Sequence, residues 1–95
     1  MKEIILHVTY RCVPGKAEEF VRALKESGLQ AEVRAEEGCL QYDFTLSCET
    51  EDTVILLERW SSAEALAAHA KAPHMQKGPA IKEGRVLSTT IERFE

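Results

Sequence analysis

Apolar and polar residues alternate along residues 4–13, a pattern that predicts a β-strand with one face turned toward a protein core. The apolar positions of this strand are Ile4, Leu6, Val8, Tyr10 and Cys12. Pro14 and Gly15 end the strand, because proline has no N–H to donate to a sheet. From Ala17 onward, apolar residues recur at three- and four-residue spacing. This spacing predicts a helix that Gly28 either breaks or loosens and that Gly38 ends.

Two further strands are predicted at residues 40–46 and 53–60, joined by a polar turn. The first has apolar residues on one face, namely Leu40, Tyr42, Phe44 and Leu46. The second carries Val54 to Leu57 as an apolar run without alternation, which indicates burial on both faces. Helices of the chain itself can cover one face. We therefore expect a second molecule to cover the other and the protein to be a homodimer.

Residues 61–64, Ser-Ser-Ala-Glu, have the form of a capping box at the start of a helix. In this interpretation Ser61 is the N-cap and Glu64 reaches back to it. The predicted helix covers residues 62–71 and ends before Pro73.

The remaining segments are a short helical stretch at residues 73–82, interrupted by Gly78-Pro79, and a last strand at residues 85–94. The order is strand, helix, strand, strand, helix, strand. This order predicts an α+β fold, the ferredoxin-like βαββαβ arrangement with an antiparallel sheet covered on one side by helices. The 95 residues make a single domain, residues 1–95.

Composition excludes several classes of function. The formal net charge is -4 and the basic residues are scattered, which argues against a nucleic-acid partner. No apolar run approaches the ~20 residues that a membrane span requires. The 3 cysteines are odd in number and form no C-x-x-C pair, so we expect reduced thiols and a cytoplasmic location.

Five segments carry a resemblance to a known family. They are Pro14-Gly15-Lys16, residues 36–42 (EEGCLQY), residues 57–60 (LERW), residues 62–69 (SAEALAAH) and Pro73-His74-Met75. With these segments the chain resembles the antibiotic biosynthesis monooxygenase-like domains, which include small quinol monooxygenases. The resemblance implies a dimeric α+β barrel with a pocket between the sheet and the helices. It also implies oxidation of a phenolic or quinol substrate by O2, often without metal or flavin.

Two histidines are candidate catalytic residues, His69 and His7. Imidazole has an ordinary pKa near ~6.5 and can take or hold a phenolic proton. His69 lies on the inner side of the predicted second helix, where a structural role competes with a catalytic one. His7 shares a strand face with Ile5 and Thr9. That face meets either the helices or a second subunit, and the sequence does not decide between them.

Four residues are candidates for binding the substrate. Trp60 is either an aromatic wall for a planar substrate or a core residue. His74 follows a proline and is expected at the pocket edge or as a helix cap. Glu58 shares a face with Trp60 and is expected to pair with an arginine of the last strand or with a histidine. Tyr42 either packs or offers its hydroxyl to a substrate oxygen.

The sequence predicts no metal and no cofactor. His69 and His74 are five positions apart across a proline, which is not the i, i+4 spacing of a helical zinc pair. Haem, flavin and nucleotide motifs are absent from the sequence. Two other functions stay open: an isomerase that shuttles protons on a small ketone or sugar-like phosphate, and a non-catalytic stress-response module that binds a small ligand.

Overall fold

Four antiparallel strands form one sheet in the computed structural model, which describes residues 3–95. The strand order is β2-β3-β1-β4, the order of a ferredoxin-like sheet. The predicted α+β fold is therefore confirmed. In chain order the elements are β1 (Ile4–Cys12), α1 (Ala17–Glu26), α2 (Leu29–Arg34), β2 (Cys39–Leu46), β3 (Thr53–Trp60), α3 (Ala63–Ala70), a 3-10 helix (Pro73–Lys77), α4 (Gly78–Lys82) and β4 (Val86–Phe94).

The core lies between one face of the sheet and the helices. Alternate residues of β1 and β3 point into it, and Val8 and Leu56 are almost completely buried there. The apolar face of α1 contributes Phe20, which is also completely buried. Glu18 and Glu19 occupy the first turn of α1, where their negative charge complements the helix dipole.

The helices leave the other face of the sheet uncovered in the single chain. Val54 and Leu56 are buried beneath the helices, whereas the intervening Ile55 and Leu57 are only half-buried on the outer face. In the sheet register, His7 of β1 pairs with Leu57. The apolar run in β3 thus supplies both faces of the sheet, and the chain's own helices bury one of them.

Some details differ from the sequence-based prediction. Gly28, with φ +81°, separates α1 from α2, so it breaks the helix. The N-cap of α3 is Ser62, whose hydroxyl accepts from the Ala65 N–H at 3.1 Å, and the assignment of Ser61 was wrong.

The predicted apolar face of β2 is also incomplete. Tyr42 is buried, but Leu40 is 47% and Leu46 48% exposed. Leu40 lies at an irregularity that shifts the pairing with β3 between Cys39 and Gln41.

The segment at residues 73–82 forms two short helices rather than one. Pro79 is at the start of α4, a position where its missing N–H costs no helical hydrogen bond. Among the described residues, the helices are all too short or too polar to cross a membrane.

Candidate functional site

Glu58 and Trp60 begin a buried polar cluster on the helix-facing side of β3. They are two residues apart on one strand and therefore share a face. The Trp60 side chain is completely buried, and its Nε1–H donates to Glu58 Oε1 at 2.9 Å. This bond satisfies the indole N–H and also fixes the buried carboxylate.

Helix α3 places His69 over the indole. The centroids of the Trp60 and His69 rings are 4.6 Å apart, and the ring of Tyr42 approaches His69 edge-on at 5.9 Å. His69 is 6% exposed. Its Nδ1 lies 2.9 Å from Glu36 Oε2, and its Nε2 lies 3.9 Å from Glu58 Oε1, which is beyond hydrogen-bond distance. The imidazole is thus held between two carboxylates.

The turn between α2 and β2 brings Glu36 to this position. Gly38 in that turn has φ +85°, and a Cβ there would overlap Ala65 of α3 and lie 2.8 Å from Ser61 Oγ. The Ser61 N–H donates to the Gly38 carbonyl at 2.8 Å. Only glycine allows the turn to pack this closely against the start of α3, and this packing sets Glu36 beside His69.

Glu36 also binds the second histidine of the cluster. His74, in the 3-10 helix, has its Nε2 2.6 Å from the same Oε2 atom that His69 contacts. The side chains of His74 and Glu36 are only 16% and 13% exposed. One carboxylate oxygen therefore joins two imidazoles from separate segments of the chain.

Burial determines the protonation behaviour of two groups in the cluster. It raises the pKa of Glu58 above its ordinary value, although the Trp60 N–H and the nearby His69 act in the opposite direction. Burial also raises the pKa of the Tyr42 phenol, and the charge of Glu58 adds to this effect. Glu58 thus holds a proton more readily than an exposed glutamate, and Tyr42 stays neutral and able to donate.

The structure brings together five of the six residues that the sequence singled out. They are Tyr42, Glu58, Trp60, His69 and His74. His7 is separate from them: it points to the outer face of the sheet, where its Nδ1 lies 3.4 Å from Glu92 Oε1 without hydrogen-bond geometry. A catalytic role for His7 stays a prediction, at a place other than the cluster.

The candidate residues did not include Glu36. It begins the EEGCLQY segment that carries part of the family resemblance, but a Glu-Glu-Gly turn by itself is typical of a solvated surface. The available signal was Gly38, since a glycine that ends a helix fixes the direction of the preceding turn.

Glu58 was expected to pair with an arginine of the last strand or with a histidine, and its neighbour is the histidine, since Glu58 Oε1 lies 3.9 Å from His69 Nε2. The two arginines pair elsewhere, because Arg85 donates to Glu19 at 2.8 Å and Arg93 pairs with Glu95 at 2.8 Å. The side chain of His74 does not cap the 3-10 helix.

The fold and this cluster define a ferredoxin-like α+β domain with a buried candidate acid–base site. The sequence profile of the family described as "Antibiotic biosynthesis monooxygenase" matches residues 3–80. The chain belongs to this family, as its sequence motifs predicted.

Individual relatives agree with the family assignment. The chain is 33% identical over 89 residues to YcnE of Bacillus subtilis, named "Putative monooxygenase", with 94% of this chain and 90% of that protein covered. A Bacteroides thetaiotaomicron protein described as "Possible Oxidoreductase" is 35% identical, with a TM-score of 0.82 over 98% of this chain and 96% of that one. PA3566 of Pseudomonas aeruginosa is 28% identical, with a TM-score of 0.85 over 99% of this chain and 93% of that one.

Proposed function

We propose that the chain is a monooxygenase that oxidises a small phenolic or quinol substrate with O2 and needs no metal or organic cofactor. One observation carries the proposal: buried His69 lies 4.6 Å from the Trp60 ring and contacts Glu36 through Nδ1. The site therefore combines a proton acceptor with an aromatic surface. The family, and the monooxygenase and oxidoreductase descriptions of its relatives, support the same class of reaction.

His69 is the proposed base. When Nδ1–H donates a hydrogen bond to Glu36, the neutral ring keeps a lone pair on Nε2 that can accept the phenolic proton. Glu58, whose Oε1 lies 3.9 Å from Nε2, then stabilises the imidazolium when it is ionised.

The phenolate formed in this way is electron-rich and can reduce O2 directly. The overall reaction converts a quinol and O2 into a hydroxylated quinone and one water molecule. One oxygen atom enters the ring, and the other leaves as water with the protons released from the quinol, including the one held by His69. The quinol supplies all four electrons, so no external reductant is required. Exclusion of water from the site protects the anion and strengthens its electrostatic contacts.

The other candidate residues have supporting roles in this proposal. Trp60 provides the flat wall against which the aromatic ring stacks. Tyr42, kept neutral by the rise in its pKa, donates a hydrogen bond to a substrate oxygen. His74 closes the edge of the site through its contact with Glu36.

Substrate entry requires a movement, because the indole has no exposed surface. The segment Pro73–Lys77 is the proposed gate, since none of its residues is fully buried. It is held by the contact between His74 and Glu36 and by Lys77, whose Nζ donates to the Ser27 carbonyl at 2.9 Å. For the segment to move away, Lys77 also has to leave its ion pair with Glu32, and Met75 has to withdraw from its packing against the core.

We further propose that the chain forms a homodimer through the outer face of its sheet. Ile5, Ile55 and Leu57 are half-buried on this face, and Phe94 is 52% exposed. Burial of such a face against a second copy removes apolar surface from water. His7 lies in the same face and would become an interface residue.

The decisive experiment is O2 uptake with a panel of quinols, combined with isotopically labelled O2 to follow one labelled atom into the product and one into water. His69→Gln is expected to abolish turnover, because the amide cannot accept the phenolic proton. His7→Gln, tested in parallel, separates the two candidate bases. Normal turnover by His69→Gln would refute the assignment of the base, and absence of O2 uptake with every quinol would refute the reaction.

The same series tests the alternatives. The contacts from His74 through Glu36 to His69 favour a proton-shuttling isomerase as the second candidate, since they can move protons without O2. An isomerase would turn over its substrate anaerobically, whereas the proposed monooxygenase would not.

A further inference from the structure

We propose that Glu36, His69 and His74 form a binding site for a divalent first-row transition-metal ion. The site shares these three residues with the acid–base cluster, although the oxidation proposed above itself requires no ion. His69 Nδ1, His74 Nε2 and a carboxylate oxygen of Glu36 all lie within 4.8 Å of one another. Two imidazoles and one carboxylate, with an open position for water, form a common ligand set for Zn²⁺ and for other divalent ions of this row.

The three donor atoms converge on one point but have to rearrange to accept an ion. Glu36 Oε2 lies 2.9 Å from His69 Nδ1 and 2.6 Å from His74 Nε2. In a tetrahedral site with metal–ligand bonds near 2.0–2.1 Å, the ligand atoms are roughly 3.3 Å apart. Glu36 Oε2 therefore has to move away from the two nitrogens by about 0.4 Å and about 0.7 Å. The two imidazole nitrogens, which lie within 4.8 Å of each other, also have to reach this spacing. Both imidazoles would bind the ion as neutral rings, each with its proton on the ring nitrogen remote from the ion.

The surroundings of His69 provide a second, independent observation. A metal-ligating histidine commonly turns its other ring nitrogen toward a carboxylate that orients the ring. Here the nitrogen remote from Glu36 is His69 Nε2, and it lies 3.9 Å from Glu58 Oε1. Glu58 is itself held by the Trp60 N–H at 2.9 Å. A closer approach of Glu58 to this nitrogen would orient the ring for an ion on its Nδ1 side.

Charge also favours a cation at this position. With neutral imidazoles, the buried cluster carries a negative charge when Glu36 is ionised. Uncompensated charge in a poorly solvated site is unfavourable. A divalent cation bound to Glu36 would balance this charge, which two neutral histidines cannot do.

The ligands come from three separate elements. Glu36 lies in the turn that Gly38 holds against α3, and His69 lies in α3 itself. His74 lies in the 3-10 helix, so this ligand alone belongs to the proposed gate. The sequence-based expectation of no metal considered only His69 and His74, whose spacing excludes a pair on one helix. The missing ligand, Glu36, is 33 residues before His69 in the chain.

The test is a titration of the full chain with Co²⁺, followed by visible absorption and then by displacement with Zn²⁺. The expected result is one ion per chain, with the visible bands of a low-coordinate Co²⁺ site containing nitrogen ligands. Glu36→Gln and His74→Gln are each expected to lower the affinity by at least about 100-fold, since even orienting partners of metal ligands contribute about 10–100-fold.

Two matched variants serve as controls. Glu37→Gln removes an exposed carboxylate from the same turn, and His7→Gln removes a histidine from the opposite face of the sheet. Both are expected to bind Co²⁺ like the unmodified chain. Circular dichroism checks that each variant is folded, and if Glu36→Gln unfolds the protein, His74→Gln decides the question.

The proposal is overturned if no visible bands appear, or if Glu36→Gln and His74→Gln bind Co²⁺ as tightly as the controls. Because the readout is a metal spectrum rather than turnover, its outcome is separate from that of the proposed oxidation.

Discussion

Replacement of Gly38 by alanine is the sharpest test of how the fold holds the candidate site. Gly38 has φ +85°, a conformation that L-residues other than glycine rarely adopt. A Cβ at this position would also overlap the Cβ of Ala65 and lie 2.8 Å from Ser61 Oγ. The variant therefore combines a backbone cost with a packing cost, and the two can be measured separately.

Gly84 supplies the matched control for the backbone cost. Its φ is +75°, and a Cβ there would meet no atom within 4 Å. Placing alanine in the left-handed region costs about 1–2 kcal/mol, so Gly84→Ala should lower the free energy of unfolding by that amount. Overpacking adds about 1–3 kcal/mol, so Gly38→Ala should lower the free energy of unfolding by about 2–5 kcal/mol in total. For a domain with a stability of roughly 5–15 kcal/mol, this is a large loss.

Urea denaturation followed by circular dichroism measures these differences. A double-mutant cycle with Ala65→Gly then isolates the overlap. Ala65→Gly alone should cost about 1 kcal/mol through lower helix propensity, but in the Gly38→Ala background it removes the obstructing methyl group. A favourable coupling of about 0.5–3 kcal/mol is expected. Equal costs for Gly38→Ala and Gly84→Ala, or a coupling of zero, would refute the argument that close packing against α3 requires this glycine.

Three further predictions address ionisation and assembly. Burial raises the pKa of both Tyr10 and Tyr42 above the ordinary value of 10.0, so an ultraviolet titration should show no tyrosinate near that pH while the protein is folded. The free energy of unfolding should fall as the pH rises above about 10, because the tyrosines of the unfolded chain lose their phenolic protons at a lower pH than those of the folded chain. Tyrosinate that appears near this pH without loss of structure would contradict the prediction. The hydrogen bond from Arg85 lowers the pKa of Glu19 in the folded protein. The ion pair therefore stabilises the fold fully at pH values above the ordinary pKa of 4.5. This stabilisation is lost as the pH falls through the lower pKa of the folded state. Denaturation of Arg85→Gln should therefore show a stability deficit at neutral pH that shrinks in acid, and a deficit independent of pH would count against the pair. On the outer face, Leu57→Lys should convert the proposed homodimer to monomers in sedimentation velocity, and an unchanged sedimentation coefficient would place the interface elsewhere.

The fold was predictable because its signals are local. Period-two alternation in β1, helical spacing after Ala17 and the serine pair before α3 each specify an element without reference to the rest of the chain. The errors lie at element ends. Ser61 and Ser62 are equivalent in a capping pattern, and only the backbone geometry shows that Ser62 accepts the hydrogen bond.

The candidate site was less predictable because its contacts are distant in the chain. Glu36 and His74 are 38 residues apart, and Glu36 has no local pattern that marks it. Trp60, His69 and Glu58 were found because they lie in the segments LERW and SAEALAAH, which carry the family resemblance. His7 was ambiguous for the opposite reason, since alternation tells which residues share a face but not which face the helices cover.

The register between β1 and β3 connects the candidate site to the proposed interface. Val54, Leu56, Glu58 and Trp60 face the helices because they alternate with Ile55, Leu57 and Arg59 on the outer face. A slip of one residue in β3 would exchange these two sets, since side chains of a strand alternate with a period of two. The buried carboxylate and indole would then reach the outer face, and Leu57 would enter the core. The irregularities in pairing lie at strand ends, between Arg11 and Cys12 and between Cys39 and Gln41, so the central register is left intact. The same register therefore has to be kept both for the acid–base cluster on one face and for the apolar surface on the other.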